Sequence, residues 1–174
     1  MRPTYLTGER VYLRGMLDDD KAHTVAWYPS TFPVNAPFGE QQLTELHGKI
    51  WGASMYQLAI VNTADDRLVG GARVSFAQRD RKAKVEIHMA PWVDDADVLR
   101  AEALRVLVPW LLEDHNLRRV DAHLESNQPA SIAAAEELGM FEAVRLREFW
   151  RRPGGRVDAV IYQIFNPHEE QRHA

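Results

Sequence analysis

The sequence contains no cysteine, which excludes disulfide staples, thiolate zinc sites, thiolate nucleophiles and any cysteine-bound acyl intermediate. Catalysis in this chain must rely on oxygen and nitrogen groups. No stretch approaches the roughly 20 apolar residues of a membrane helix, and no early segment joins a basic start, an apolar run and a small-residue cleavage site. The expectation is a cytoplasmic protein with no membrane partner. A basic excess is also missing: the formal net charge is -4 and the isoelectric point is near 6.0. Nucleic-acid binders normally present a basic face, so a nucleic-acid partner is not expected. There is no internal repeat, low-complexity tract or linker, and 174 residues with 45% hydrophobic content suffice for one core. Residues 1–174 therefore read as a single domain.

The punctuation of the chain divides it into elements. Gly8 to Arg14 alternates polar and apolar residues, as an opening strand does, and Asp18, Asp19 and Asp20 give an acidic start to a short helix around Lys21 to Trp27. Pro29, Pro33 and Pro37 break up Tyr28 to Gly39 into a long loop of the kind that faces substrate. A second helix is expected at Glu40 to Trp51, then strands at Tyr56 to Asn62 and Leu68 to Phe76 about a turn at Asp65 and Asp66. Lys84 to Met89 alternates cleanly, with Val85, Ile87 and Met89 on one face and Lys84, Glu86 and His88 on the other.

Val98 to His115 has the composition of a largely buried helix, and Pro109 inside it predicts a kink. A strand at Arg119 to Glu125 follows, then a short helix at Pro129 to Leu138, bounded by Pro129 near its start and Gly139 past its end. Strands at Ala143 to Arg151 and Arg156 to Phe165 close the chain about Pro153-Gly154-Gly155, and residues from about 167 to 174 read as a frayed tail. The basic clusters Arg79, Arg81, Lys82, Lys84 and Arg145, Arg147, Arg151, Arg152, Arg156 read as solvated hairpin faces.

Five strings, taken in order and spacing, resemble the Gcn5-related N-acetyltransferase (GNAT) superfamily, in particular its RimJ/RimL-like branch. They are Leu6 to Arg14; Val85-Glu86-Ile87-His88 with Pro91; Glu102-Ala103-Leu104; Asn127 to Ile132 leading to Glu137-Leu138-Gly139-Met140; and Leu146-Arg147-Glu148 with Gly155 and Asp158. The resemblance spans nearly the whole chain. It implies an α+β fold with a mixed, mostly antiparallel sheet splayed open at its middle and flanked by helices. Acetyl-CoA or a related acyl thioester would lie in the splay with its pyrophosphate at the N-terminus of the long helix, where unpaired backbone N–H groups attract anions. On that basis Val98, Leu99 and Arg100 are candidate phosphate contacts, and Asn127 and Ser131 candidate contacts to the pantetheine arm.

One segment departs from the family pattern. A Gly-x-Gly or Gly-x-Ala loop is expected a few residues before the Glu-Ala pair, but the chain reads Val93-Asp94-Asp95-Ala96-Asp97-Val98-Leu99-Arg100. Neither glycine is present, and three carboxylates occupy the approach. Carboxylates repel a pyrophosphate, and an Asp at the cap can itself take up the helix's free N–H groups. Two unit charges about 4 Å apart at a partly exposed site interact by roughly 4 kcal/mol, enough to remove most micromolar binding.

Acetyl transfer to an amine needs a base for the ammonium proton, donors for the thioester carbonyl and an acid for the leaving thiolate. Glu86 is the candidate base, with His88 on the same strand face as its partner in a water relay. Ser131 is the candidate donor toward the thiolate. Asp158 and Tyr162 are expected to pair across the last hairpin with Arg147 and Glu148. Trp27, Tyr28, His47 and Trp51 are candidates for an acceptor pocket, although aromatic residues at such spacing more often form core. The seven histidines show no i, i+4 pair, so no metal site is expected.

Two functions stay open on sequence alone. One is an N-acyltransferase that moves an acetyl or acyl group from a CoA-type thioester to a small-molecule or peptide amine by direct attack. The other is a protein of the same fold that no longer binds CoA: it would use a donor such as a carrier-protein thioester, perform other chemistry in the cleft, or only bind. A homodimer is the default assembly.

Overall fold

The structure is a computed structural model that describes residues 6–20, 23, 37 and 55–167. The helices expected at Lys21 to Trp27 and Glu40 to Trp51 and the Tyr28 to Gly39 loop lie almost wholly outside these residues. So do Trp27, Tyr28, His47, Trp51 and nearly all of the tail.

Among the described residues eight strands form one sheet: β1 (Leu6–Thr7), β2 (Val11–Gly15), β3 (Met55–Asn62), β4 (Leu68–Ala77), β5 (Lys82–Met89), β6 (Arg119–Glu125), β7 (Phe141–Arg152) and β8 (Gly155–Phe165). Their spatial order is β1-β2-β3-β4-β5-β6-β8-β7. Only β5 and β6 run parallel; every other neighbouring pair is antiparallel. A parallel pair needs a crossover, and here the crossover is the long helix α1 (Ala96–Glu113). A second helix, α2 (Pro129–Glu137), joins β6 to β7. The arrangement is the mixed, mostly antiparallel α+β sheet of a GNAT fold.

Of the opening strand expected at Gly8 to Arg14, Val11 to Arg14 is strand while Gly8–Arg10 is a turn, through which Leu6 pairs with Leu13 and Thr7 with Tyr12. The turn rests on α1: Glu102 accepts hydrogen bonds from the backbone N–H of Arg10 at 2.6 Å and of Val11 at 3.2 Å. A Cβ at Gly8 would meet that same carboxylate, so a larger residue there makes the Glu102 side chain shift. Two of the five sequence strings thus meet in one contact.

One sheet face carries Val11, Leu13, Leu58, Ile60, Val74, Val85, Ile87, Val120, Leu124 and Val160 and is sealed by Leu99, Leu104, Leu107, Val108 and Leu111 of α1. Strand alternation sends Arg14, Arg73, Lys84, Glu86, His88 and His123 to the opposite face. The last hairpin bulges between Leu146 and Trp150. Asp158 holds the bulge by accepting the N–H of Glu148 at 2.9 Å and pairing with Arg145 at 3.1 Å. The expected Arg147 pairing is replaced by Arg145, and the Tyr162 hydroxyl turns to α2, donating to Glu136 at 3.0 Å. No helix among the described residues is long and apolar enough to cross a membrane.

Candidate active site

The register between β5 and β6 runs from Lys82↔Arg119 to Glu86↔His123 and then stops, although β5 continues to Met89 and β6 to Glu125. Beyond Glu86 the two strands part. Ile87 to Met89 therefore line an opening in the sheet and lack the partner strand that their ladder groups would otherwise meet.

Glu86 stands at the apex of this opening, half-buried on the face away from α1. Lys84, one place back on that face, reaches its carboxylate at 3.0 Å, and Arg73 is its register partner on β4. His88 follows on the same face, opposite Gly71. Its Nε2 is buried without a hydrogen-bond partner. Burial is the main reason its pKa drops from 6.5 to about 4; Arg73 and Arg100 push the same way, against Glu86 and Glu125. The imidazole is consequently neutral at pH 7, so it can act as a hydrogen-bonding group but not as a standing cation.

Arg100, one turn into α1, reaches the edge of β5 where the strands part. Its Nε donates to the carbonyl of Ile87 at 3.4 Å, and its Nη1 pairs with Asp97 at 3.2 Å. Burial lowers its pKa, while Asp97 and Glu125 oppose that shift. On the far wall Glu125 holds Arg152 through two hydrogen bonds of 2.9 and 2.6 Å.

The acidic loop does not behave as the local capping rule predicts. Asp95 is the N-cap of α1, yet its side chain makes no cap bond; it pairs with Arg10 instead. Asp97 caps the other helix. Its carboxylate accepts the N–H of Ala130 at 2.7 Å, the N–H of Ser131 at 3.3 Å and the hydroxyl of Ser131 at 2.6 Å. The two helix N-termini that converge beside the opening are thereby tied together.

The candidates singled out from sequence fall into two groups. Glu86, His88 and Arg100 gather at the opening. Ser131 is fully buried with its donors directed at Asp97, and the Leu99 side chain is part of the core. The N–H groups of Val98 and Leu99 both donate to the carbonyl of Asp95, at 3.0 and 3.1 Å, while the Val98 side chain is exposed. Asn127 is exposed in the turn before α2, where Gln128 is the N-cap. Sequence reasoning missed His123, whose register position beside Glu86 depends on a parallel pairing that no local pattern announces. It also missed the tie through Asp97.

Past Glu86 the edge of β5 has no β6 residue in register, so this is where a thioester arm could hydrogen-bond to strand backbone. A pyrophosphate fits the adjoining helix start poorly: Asp95 and Asp97 line it, and the nearby cations Arg10 and Arg100 are each paired to one of them. A separate cavity of about 570 Å³ is lined by Arg14, Asp19, Asp20, His23, Arg67 and Trp92. Neither Glu86 nor His88 lines it. Among the described residues no group of histidines and carboxylates has the arrangement of a metal site.

No family model matches the sequence, and no curated protein matches it. Solved structures do. A spermidine/spermine N-acetyltransferase SpeG from Vibrio cholerae shares the fold at a TM-score of 0.70 and 17% identity, covering 95% of this chain and 98% of that one. A GNAT-family acetyltransferase from Bacillus anthracis does so at 0.69 and 14%, covering 92% and 98%. A protein assigned as an acetyltransferase from Sphaerobacter thermophilus is similar at 0.76 and 42% identity, over 97% of this chain and 99% of that chain. With that identity over nearly its full length, and with this sheet, the chain belongs to the GNAT family and is an enzyme of the acetyltransferase type.

Proposed function

We propose that the protein is an N-acyltransferase of the RimJ/RimL-like branch that holds an acyl thioester in the opening between β5 and β6 and transfers the acyl group directly to an amine. The observation that carries this reading is the end of strand pairing at Glu86↔His123, which leaves a carboxylate at the point where β5 and β6 part. Glu86 removes the ammonium proton, the free amine attacks the carbonyl carbon, and the C–S bond breaks. The neutral ring of His88 and the β5 edge beyond Glu86 orient the reactants. Acetyl-CoA is the donor, held mainly through its pantetheine arm, because Asp95 and Asp97 weaken the phosphate subsite; this loop is a degenerate form of the family's. The acceptor is a small amine, in keeping with the polyamine substrate that names the Vibrio cholerae enzyme.

Thiol release from acetyl-CoA, measured with spermidine and a series of simpler amines, tests the assignment. Glu86→Gln should lower kcat by about 100-fold or more while the KM for acetyl-CoA stays unchanged, as loss of a general base does. Wild-type turnover by that variant would defeat the reading. Binding is followed separately by thermal shift, where ligand at 100 times its Kd adds about 2.7 kcal/mol. Acetyl-pantetheine should approach acetyl-CoA in affinity, and Asp97→Asn should tighten acetyl-CoA more than acetyl-pantetheine.

A further inference from the structure

Where the strands part, Glu86 does not stand alone. Its register partner on β6 is His123, the last residue of that strand still paired with β5. In a parallel pair, residues in register share a face, so the imidazole lies beside the carboxylate on the side away from α1. The environments of the two histidines near Glu86 differ sharply. His88 is enclosed, with its Nε2 unpartnered, whereas His123 is exposed to solvent.

Resting on the assignment of Glu86 as base, we propose that His123 is its proton-relay partner, taking the proton that Glu86 removes from the acceptor and releasing it to bulk water. The overall reaction requires such an outlet. An ammonium acceptor loses two protons on becoming an amide. One ends on the departing thiolate when the C–S bond breaks and the N–C bond has formed; the other must leave the site. It passes from nitrogen to the Glu86 carboxylate, from there to a ring nitrogen of neutral His123, and then to solvent. The carboxylate is thereby restored for the next turnover, with no oxidant, reductant or co-reactant required.

The charged surroundings suit this role. From β5 the ring is faced by Glu86 and Lys84, and its own strand places Asp121 and Glu125 on the same face. From β8 it is faced by Ile161, flanked by Ala159 and Gln163, none of which carries charge. His123 remains open to solvent, but partial burial of the ring against its neighbours lowers its pKa from the ordinary value, with Lys84 adding to the drop while Glu86 and Asp121 oppose it. At neutral pH the ring is therefore an empty proton acceptor, and a protonated ring gives up its proton readily.

The test is acetyl-CoA turnover with the amine series by wild type, His123→Ala, His123→Gln and Glu86→Gln. Both His123 variants should lose about tenfold in kcat, less than the 10²–10⁴ supplied by a direct general base, with the KM for acetyl-CoA unchanged. Added imidazole should restore His123→Ala, a response that a purely structural role would not produce. Wild-type kcat in His123→Ala across the neutral and alkaline range, or a loss that imidazole leaves untouched, overturns the relay. If Glu86→Gln is inactive while His123→Ala is normal, the relay alone fails; if Glu86→Gln is fully active, the base assignment fails and takes the relay with it. An NMR titration of the His123 ring supplies an arm independent of the acceptor: its pKa should fall further in Glu86→Gln, and an unchanged pKa refutes the coupling.

Discussion

Replacing Asp97 by alanine removes four interactions at once, and the structure allows the cost to be estimated. The carboxylate caps α2 through Ala130 and Ser131, accepts the Ser131 hydroxyl and neutralises Arg100. Losing a cap costs about 1 kcal/mol. Breaking a fully buried ion pair costs about 3–5 kcal/mol, but a quarter of the Asp97 side chain is exposed and Arg100 keeps its bond to Ile87. That contribution falls to about 2 kcal/mol. The sum is about 3 kcal/mol, and at about 2–4 °C per kcal/mol for a chain of this size the Tm should drop by about 6–12 °C. Asp97→Asn keeps one acceptor oxygen, enough for the Ala130 N–H or for the Ser131 donors but not both, and loses the charge, so its drop should be smaller than that of alanine but more than half of it. The assay is thermal denaturation followed by circular dichroism. If Asp97→Ala melts within about 2 °C of wild type, the tie between the two helices has no energetic weight; if Asp97→Asn costs as much as alanine, the one acceptor oxygen that asparagine keeps gives the cap no weight.

Acid stability should report on His88: the folded chain keeps the ring neutral down to about pH 4, whereas the unfolded chain takes up a proton near 6.5. Between those values the unfolded state binds the extra proton, so stability falls as pH falls through the window at about 1.4 kcal/mol per unit and is unaffected above it. His88→Gln should flatten this slope in urea titrations at a series of pH values, and an unaltered slope would contradict the burial of the ring. Gly8→Ala should cost about 1 kcal/mol, because the new methyl displaces the Glu102 carboxylate from the N–H groups of Arg10, which water can reach, and of Val11. An unchanged urea midpoint would show that the turn can yield.

Local chemistry was readable wherever one residue's neighbours in sequence are also its neighbours in space. The alternation of Val85, Glu86, Ile87 and His88 placed Glu86 and His88 on one face before any coordinates, and the strand expected at Arg119 to Glu125 has those bounds in the structure. Pro129 at the start of the second helix and Gly139 past its end, at φ +80°, mark it as the sequence suggested. By contrast Gly8–Arg10 was misread as strand, because alternation persists through a tight turn and does not register the change of direction.

What the sequence determined by itself was most of the described strands and both described helices, the two faces of Lys84 to Met89 and the kinds of side chain available for chemistry; period-2 and period-3.6 patterning and turn residues act over a few positions. Only the tertiary structure decided that Asp97 caps α2 rather than its own helix, that Arg100 reaches Ile87, and that His123 adjoins Glu86. Each of those contacts joins groups brought together by the crossover through α1, and a crossover leaves no periodic mark on the residues at its two ends.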